Sequence, residues 1–172
     1  MRLFSAINPD PVTTDRLTGL QDTLRGTASR GNYSSPENLH MTLVFLGEVP
    51  NSDVPAAMGA VIDLTCKPFT MVVDHVGCDR RRGRELWWAG ITECRELINL
   101  QRTLARRLDS RGCQFDHRPF RPHVTLAREV ETVGLPWPIE AFSWPVAEVH
   151  LMKSERIDNQ LVYTPLGASR RS

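Results

Sequence analysis

The chain has 172 residues, with 21 basic and 20 acidic side chains and a formal net charge of +1 at pH 7. Hydrophobic residues make up 41% and charged residues 24%, which indicates a globular protein and excludes a disordered, collagen-like or coiled-coil chain. The near-neutral charge excludes a broadly basic nucleic-acid coat, and no apolar run is long enough to span a bilayer. At this length we expect one domain over residues 1–172.

The start of the chain turns polar at Asn8-Pro9-Asp10, too soon for the apolar region of a signal peptide, so we expect a cytoplasmic protein. Four cysteines lie at Cys66, Cys78, Cys94 and Cys113, with no C-x-x-C pair and no histidine at metal-ligand spacing. We expect all four to be free thiols, as is usual in the cytosol.

Strands and helices alternate in the first half of the predicted chain. The predicted elements are strand 2–7, helix 10–28, strand 39–46, helix 51–64 and strand 69–76. Leu17, Leu20 and Leu24 are spaced three and four apart, which favours the first helix. Gly31 and Asn32 then predict a break in the chain.

The second half contains the clearest helix, in which Leu97, Leu100, Leu104 and Leu108 form one apolar stripe. The predicted elements are strand 85–91, helix 93–110, strand 123–127, a Pro/Trp-rich loop at 134–145, strands 146–153 and 160–166, and a frayed tail from 167. Asp158-Asn159 is a hairpin signal between the last two strands. The element order predicts an α+β fold with a largely antiparallel sheet.

One tetrapeptide pattern recurs, as His40-Met41-Thr42-Leu43 and His123-Val124-Thr125-Leu126. Both copies fall in predicted strands, where side chains alternate between the two faces of the sheet. Each strand therefore offers an imidazole and a hydroxyl on one face, and apolar residues on the other. Phe45, by the same alternation, is predicted to lie in the core with Met41.

Two histidines can serve as a base and an acid near neutral pH, and two neutral hydroxyls suit the non-bridging oxygens of one phosphate. The sequence has no nucleophile elbow and no phosphate-binding loop of the Walker type. Two histidines alone are too few for a metal site. The pattern therefore predicts acid–base chemistry on a phosphate ester without metal or cofactor. The alternative is a duplicated fold with two purely structural histidines.

The sequence resembles the two-histidine (2H) phosphoesterase superfamily, which is defined by a pair of H-x-[ST]-x motifs. Within it, the chain is most similar to the RNA 2′,3′-cyclic phosphodiesterases, also called 2′-5′ RNA ligases or LigT-like proteins. The matching blocks are distributed over most of the length of the chain: residues 2–7, 39–49, 86–88, 121–128 and 151–154, and Tyr163.

This resemblance implies an α+β fold of two lobes related by a pseudo-two-fold axis, with mostly antiparallel sheets lining a central groove and helices outside. It implies hydrolysis of a terminal 2′,3′-cyclic phosphate to a 2′-phosphate, with reversible 2′-5′ ligation. The partner would be an RNA end, such as that of a tRNA half. We expect a monomer with no protein partner and no membrane association.

The resemblance also implies residue roles. His40 and His123 would be the catalytic pair, with His123 as the base that activates water and His40 as the acid that protonates the leaving ribose oxygen. Thr42 and Thr125 would bind the non-bridging oxygens of the phosphate.

Five further residues are candidates for substrate binding. Arg128 ends the second motif block and would contact phosphate or RNA backbone, the alternative being a solvated arginine. Arg118 and Arg121 flank Phe120 and could grip a nucleotide, although nearby prolines equally predict a rigid structural segment. Tyr33 could stack on a base or could pack in the core.

Other features are predicted to be structural or solvated. The basic run at residues 79–84 is expected to be a charged turn, with electrostatic guidance of RNA as the alternative. The three histidines outside the motifs are expected to be structural or surface residues: His75, His117 and His150. Two other functions stay open, namely a 2H enzyme for another cyclic phosphate or a 2′-5′ oligonucleotide, and a non-catalytic RNA-binding module.

Overall fold

The structure is a computed structural model that describes residues 1–81 and 83–172. The three α-helices are α1 (Pro11–Arg25), α2 (Val54–Ile62) and α3 (Arg95–Ser110). The strands are β1 (Arg2–Ile7), β2 (Ala28–Tyr33), β3 (Met41–Glu48), β4 (Thr65–Cys66), β5 (Phe69–Arg81), β6 (Arg84–Ile91), β7 (His123–Thr132), β8 (Pro138–Val146), β9 (His150–Ile157), β10 (Gln160–Ala168) and β11 (Arg170–Arg171). No helix in the described part of the chain is both long and apolar enough to cross a membrane.

Two half-sheets form the main sheet. The first has the strand order β10-β9-β1-β3 and the second has the order β7-β6-β5-β8, with β2 added alongside β7. The two halves meet where β3 and β7 run antiparallel, at the residue pair Met41–Val124. Each H-x-T strand is therefore the innermost strand of its half-sheet. This arrangement confirms the predicted α+β fold with two related lobes and largely antiparallel pairing.

The helices cover one face of this sheet. Helix α1 packs on β2, β7 and β8, while α2 and α3 pack on strands of the first half-sheet. The carboxylate of Asp10 caps α1 by accepting a hydrogen bond from the Thr13 backbone N–H at 2.7 Å. Leu17 and Leu97 are fully buried against the sheet, as are Met41 and Val124 beneath the helices. The helices and the apolar halves of both motifs thus share one face, which leaves the opposite face for the histidines.

Both H-x-T strands carry a β-bulge at the same place. In β3, Thr42 pairs with Ala6 and Val44 pairs with Ser5, so Leu43 is an extra residue. In β7, Thr125 pairs with Trp88 and Ala127 with Trp87, so Leu126 is the extra residue. A bulge shifts the alternation of side chains by one position. Residues beyond each motif therefore lie on the face opposite to the one that simple alternation predicts.

Several predicted boundaries are wrong. The break at Gly31-Asn32 is strand β2, which pairs with β7, and much of the predicted loop at 134–145 is strand β8, which pairs with β5. The predicted frayed tail ends in β11, a short strand parallel to β4. The predicted hairpin turn is confirmed, because Asp158 and Asn159 both have positive φ, at 47° and 63°.

Candidate active site

The two motif histidines are oriented in the same way. Nδ1 of His40 lies 2.7 Å from the carbonyl oxygen of Asn38, and Nδ1 of His123 lies 2.7 Å from the carbonyl oxygen of Arg121. A carbonyl oxygen can only accept a hydrogen bond, so Nδ1 carries a proton in both rings. In the neutral form of each ring, Nε2 is therefore the nitrogen that can take up a proton.

The seam between the half-sheets brings the four motif side chains together. Because Met41 pairs with Val124 in an antiparallel register, His40 lies across from Thr125 and Thr42 lies across from His123. The Met41 and Val124 side chains point into the core, so these four polar side chains share the opposite face. The result is a groove with an imidazole and a hydroxyl from each half-sheet.

The two threonine hydroxyls have different partners. Oγ1 of Thr42 lies 3.0 Å from Nε2 of His40, and because Nδ1 of His40 holds the ring proton, the hydroxyl donates this hydrogen bond. Oγ1 of Thr125 instead accepts a long hydrogen bond of 3.4 Å from Nη2 of Arg128. The Thr125 hydroxyl therefore keeps its own proton available for a ligand in the groove.

His40 is enclosed by aromatic rings. The Phe4 ring lies 4.8 Å from the imidazole and the Tyr163 ring stands edge-on at 5.0 Å, measured between ring centroids. Burial lowers the pKa of His40, and the nearby charges of Arg128 and His123 lower it further, against the raising effect of the hydrogen bond to Asn38. The free protein therefore favours neutral His40.

Arg128 belongs to the groove although its offset from His123 is odd. The bulge at Leu126 places both Leu126 and Ala127 in the core, so Arg128 returns to the face of His123 and Thr125. Its guanidinium lies 3.4 Å from the Thr125 hydroxyl, and its positive charge acts to lower the pKa of both His40 and Tyr163. No carboxylate of the described residues forms an ion pair with it. Arg128 is thus an exposed cation beside the motif residues.

The same correction applies to Phe45, which the alternation assigned to the core beside Met41. The bulge at Leu43 moves it to the groove face, where it packs in a separate cluster with Phe4 and Tyr163. Phe45 and Arg128 occupy corresponding places, three residues after the motif threonine in each strand.

The structure places the other four candidate residues differently from one another. Arg121 lies beside the site, since its carbonyl oxygen orients His123 and its guanidinium carbon is 5.7 Å from the centroid of the Trp88 ring. Arg118 is held by the carboxylate of Asp116 through a fork of hydrogen bonds from its side chain. Phe120 packs against the main core.

Tyr33 packs against the core rather than beside the histidines. The guanidinium carbon of Arg25, from α1, lies 4.2 Å from the centroid of its ring. Its hydroxyl is buried without a hydrogen-bond partner among the described residues, and burial raises its pKa. The structure therefore favours the packing alternative for Tyr33, which pairs with Ala127 of β7.

The basic run at residues 79–84 is mostly strand rather than loop, since β5 continues to Arg81. Arg80 pairs with Glu85 and Arg84 pairs with Glu129. Arg82 and the side chain of Arg81 lie outside the described residues. The described arginines of the run are thus neutralised by carboxylates, as expected for a charged turn.

The remaining histidines and cysteines lie as expected. His150 pairs with Glu148, and the His117 ring packs on Phe115 at the surface. His75 is also exposed, and the centroid of its ring lies 5.5 Å from that of Trp88. All four cysteines are free thiols, with Cys66 buried and the other three half-buried. Among the described residues, no group of three or more potential ligands could hold a metal ion.

Three aromatic neighbours of the histidines were missed as site residues: Phe4, Tyr163 and Trp88. A signal existed for Trp88, because two adjacent tryptophans in a strand must point to opposite faces. Trp87 is fully buried, which leaves Trp88 on the groove face. Tyr163 and Phe4 lie far from the motifs in sequence, and only the sheet order brings them to His40.

Comparison with known proteins identifies the family. The sequence model of the 2′-5′ RNA ligase superfamily matches residues 9–158, so the chain belongs to this superfamily. An RNA 2′,3′-cyclic phosphodiesterase of Escherichia coli K12 is 35% identical over 138 residues, which are 79% of this chain and 77% of the relative. A protein of the same name from Methanothermobacter thermautotrophicus is 28% identical, over 99% of this chain and 98% of the relative.

Solved structures agree with this assignment. The structure of E. coli LigT complexed with 3′-AMP superposes with a TM-score of 0.80 at 29% identity, covering 97% of this chain and 95% of that one. The structure of E. coli LigT complexed with phosphate gives a TM-score of 0.78 at 28% identity, covering 99% and 98%. These matches confirm the 2H phosphoesterase fold predicted from the two motifs.

Proposed function

We propose that this chain is an RNA 2′,3′-cyclic phosphodiesterase that hydrolyses a terminal cyclic phosphate to a 2′-phosphate. The observation that carries the proposal is the seam at Met41–Val124, which sets one oriented imidazole and one hydroxyl from each half-sheet around a single groove. Relatives of this chain are named RNA 2′,3′-cyclic phosphodiesterases, which supports the substrate class. We propose that a cytoplasmic monomer acts on RNA ends, those of tRNA halves included.

The reaction needs one base and one acid on opposite sides of the phosphorus. A water oxygen forms a new bond to phosphorus and its proton passes to Nε2 of one histidine. The bond between phosphorus and O3′ breaks, and the other histidine gives its Nε2 proton to O3′. The products are a 2′-phosphate and a free 3′-hydroxyl, and the exchange of protons leaves the two histidines in swapped states. Each general acid or base typically contributes about 10²–10⁴-fold in rate.

Thr42, Thr125 and Arg128 would stabilise charge on the non-bridging oxygens. Thr125 has an uncommitted hydroxyl proton, whereas Thr42 must turn its hydroxyl away from His40 before it can donate to phosphate. That rotation frees Nε2 of His40 at the moment when substrate arrives. The exposed guanidinium of Arg128 supplies the positive charge that a phosphate diester needs in this groove.

We propose His123 as the base and His40 as the acid, and the burial of His40 adds a condition to this assignment. Because the pKa of His40 is lowered, the free protein holds little of the protonated acid at neutral pH. A bound phosphate offsets the repulsion from Arg128 and thus favours protonation of His40. Binding of the substrate would therefore raise the fraction of His40 that carries the second ring proton, which is the form that acts as the acid.

The proposal is tested with a short RNA that ends in a 2′,3′-cyclic phosphate, incubated with the protein in EDTA and followed by end-group analysis. We expect a 2′-phosphate, and we expect His40→Ala and His123→Ala each to lower kcat about 10²–10⁴-fold. His117→Ala is the matched control, since this exposed ring contacts Phe115 outside the groove.

Other products would change the proposal in defined ways. A 3′-phosphate would overturn the bond assignment. Activity that appears only with an added divalent metal would overturn the two-histidine mechanism. Turnover of ADP-ribose 1″,2″-cyclic phosphate or a 2′-5′ oligonucleotide in place of RNA cyclic phosphate would indicate another 2H enzyme. Tight RNA binding without any turnover would indicate a binding module.

A further inference from the structure

A polar side chain with a long amide lies inside the buried face of α1. The buried residues of this helix are Thr13, Leu17, Gln21 and Leu24, and Gln21 is only 1% exposed. A buried amide destabilises a fold unless it forms hydrogen bonds, and it contributes less to apolar packing than leucine would. The position of Gln21 is therefore explained by the groups to which it bonds.

The amide of Gln21 binds two main-chain carbonyl groups. Its Nε2 donates to the carbonyl oxygen of Leu126 at 2.8 Å and to that of Ser34 at 2.7 Å. Leu126 is the extra residue of the bulge in β7, and Ser34 directly follows β2, the strand that pairs with β7. One side chain of α1 thus joins the helix to the bulge and to the end of the neighbouring strand.

Ser34 binds the same bulge through two groups of its own. Its backbone N–H donates to the carbonyl oxygen of Leu126 at 3.0 Å, and its hydroxyl donates to the carbonyl oxygen of Thr125 at 3.0 Å. In a regular strand, successive carbonyl groups point to opposite edges. Here one residue binds both, so these hydrogen bonds hold the irregular backbone of the bulge in place. We call Gln21 and Ser34 the bulge clamp.

The bulge decides where Arg128 lies. Leu126 and Ala127 are both buried in the core, which returns Arg128 to the groove face. With regular alternation from Thr125, Arg128 would point to the core face instead. Gln21 lies beneath the sheet, on the side of the helices, so it contacts neither the groove nor a ligand in it. Its influence on the groove must therefore pass through the bulge.

The bulge in β3 is also bound by a buried polar side chain. Ser5 of β1 is fully buried, and its hydroxyl accepts a hydrogen bond from the backbone N–H of Val44 at 3.1 Å. Val44 directly follows Leu43, the extra residue of that bulge. Each half-sheet thus has its own hydrogen-bonding side chain at the corresponding place, which indicates that both bulges depend on such bonds.

We propose that Gln21 is a positioning residue for the phosphodiesterase reaction, which holds the bulge at Leu126 so that Arg128 faces the phosphate. This inference rests on the proposed function and extends the residues that support it to a helix that contacts no substrate. Loss of the Gln21 amide should let the strand relax and should draw the guanidinium away from the groove. A displacement of about 1 Å at a reacting centre can cost about 100-fold in rate.

The first test is a double-mutant cycle with Arg128. Gln21→Met keeps the size of the side chain but removes both hydrogen bonds, and it should lower kcat on an RNA 2′,3′-cyclic phosphate about 10- to 100-fold. Because Gln21 acts through Arg128, the same substitution in the Arg128→Met background should lower kcat far less. An unchanged kcat in Gln21→Met, or two losses that add fully, would overturn the proposal.

Two further positions separate positioning from stability. Leu17→Ala removes buried packing from the same helix but no hydrogen bond to β7, so it should lower the free energy of unfolding while kcat stays constant. Ser34→Ala is a milder variant of the clamp and should share the loss of kcat, whereas Ser34→Thr keeps the hydroxyl and should retain the rate. A loss of kcat in Leu17→Ala as large as that in Gln21→Met would contradict the positioning role.

A titration keeps this inference separate from the proposed function. The positive charge of Arg128 acts to lower the pKa of His40, so Gln21→Met should raise that pKa in an NMR titration of the ring protons. The double variant with Arg128→Met should titrate as Arg128→Met does alone. This readout needs neither substrate nor turnover.

The two measurements together distinguish the possible failures. If the RNA is not hydrolysed but the titration of His40 shifts in Gln21→Met, the proposed function fails and the role of the bulge clamp stands. If the RNA is hydrolysed and His40 titrates in Gln21→Met as in the native protein, the bulge clamp does not position Arg128 and this inference fails alone.

Discussion

Leu43 and Leu126 occupy the same place in their strands, as the extra residue of a β-bulge directly after the motif threonine. The bulges turn Phe45 and Arg128 toward the groove, where strict alternation would bury them. The same bulge, present in both strands, thus determines which side chains flank the phosphate site. Which residues line the groove beyond each motif therefore depends on the pairing of the strands as well as on the motif sequence.

The acid can be identified with a substrate in which sulfur replaces O3′. A thiolate leaves without a proton, so the loss of a general acid should matter little for this compound. We expect His40→Ala to recover most of its lost rate with the sulfur substrate, and His123→Ala to stay slow. Recovery by His123→Ala alone would reverse the assignment of acid and base.

Loss of either motif hydroxyl should slow the chemical step. Thr42→Val and Thr125→Val each remove one donor to the non-bridging oxygens, which typically costs about 10²–10³-fold in kcat. Thr→Ser at either position keeps the hydroxyl and should keep most of the rate. Thr70→Val, at an exposed position of β5, is the control for the substitution itself. A purely structural role would instead lower the stability of both valine variants without this selective loss of kcat.

Arg128 should depress the basicity of His40. Its positive charge is one of the causes that lower the pKa of His40, so Arg128→Met should raise that pKa, because the imidazolium then meets less repulsion. The shift is measured by NMR titration of the ring protons of His40. Arg102→Met, on the exposed face of α3, should leave the titration in place. A lowered pKa in Arg128→Met would contradict the position inferred for the guanidinium.

The buried hydroxyl of Tyr33 should lower the stability of the fold, and the ring should take no part in substrate binding. Its hydroxyl is buried without a partner in the described structure, and an unpaired buried polar group is costly. Tyr33→Phe should therefore raise the free energy of unfolding by about 1 kcal/mol, as measured by urea denaturation. Because phenylalanine keeps the aromatic face, base stacking is tested with Tyr33→Leu, in which the KM for a cyclic-phosphate RNA should stay constant. An increased KM would restore Tyr33 as a base contact.

The core of the site could be predicted from the sequence because its signal is short-range. A histidine and a threonine two residues apart share a face in any regular strand, and the repeat of this pattern predicts two such faces. The pairing of Met41 with Val124 lies beyond that signal, since it joins residues far apart in the chain. The same holds for the two aromatic rings around His40, because β1 and β10 bring Phe4 and Tyr163 to it from distant parts of the chain.

The errors have a common physical origin. Strand β2 contains Gly31 and Asn32, and β8 contains two prolines, so local propensity argues against both. Each is held in place by a long neighbour, β7 for β2 and β5 for β8, whose backbone groups need partners. Pairing with a neighbouring strand therefore outweighs the low β-propensity of these two segments. The bulges in β3 and β7 likewise arise from strand pairing and have no local sequence signal.

The corresponding positions of Phe45 and Arg128 also give the groove a polarity. Two copies of one motif around a two-fold seam would accept a phosphate chain equally well in either direction. Here one side presents the phenyl ring of Phe45 within an apolar cluster, and the other presents the guanidinium of Arg128, which has no ion-pair partner among the described residues. A strand of nucleic acid laid across the motifs therefore meets chemically different ends, so one 5′-to-3′ direction is favoured over the other.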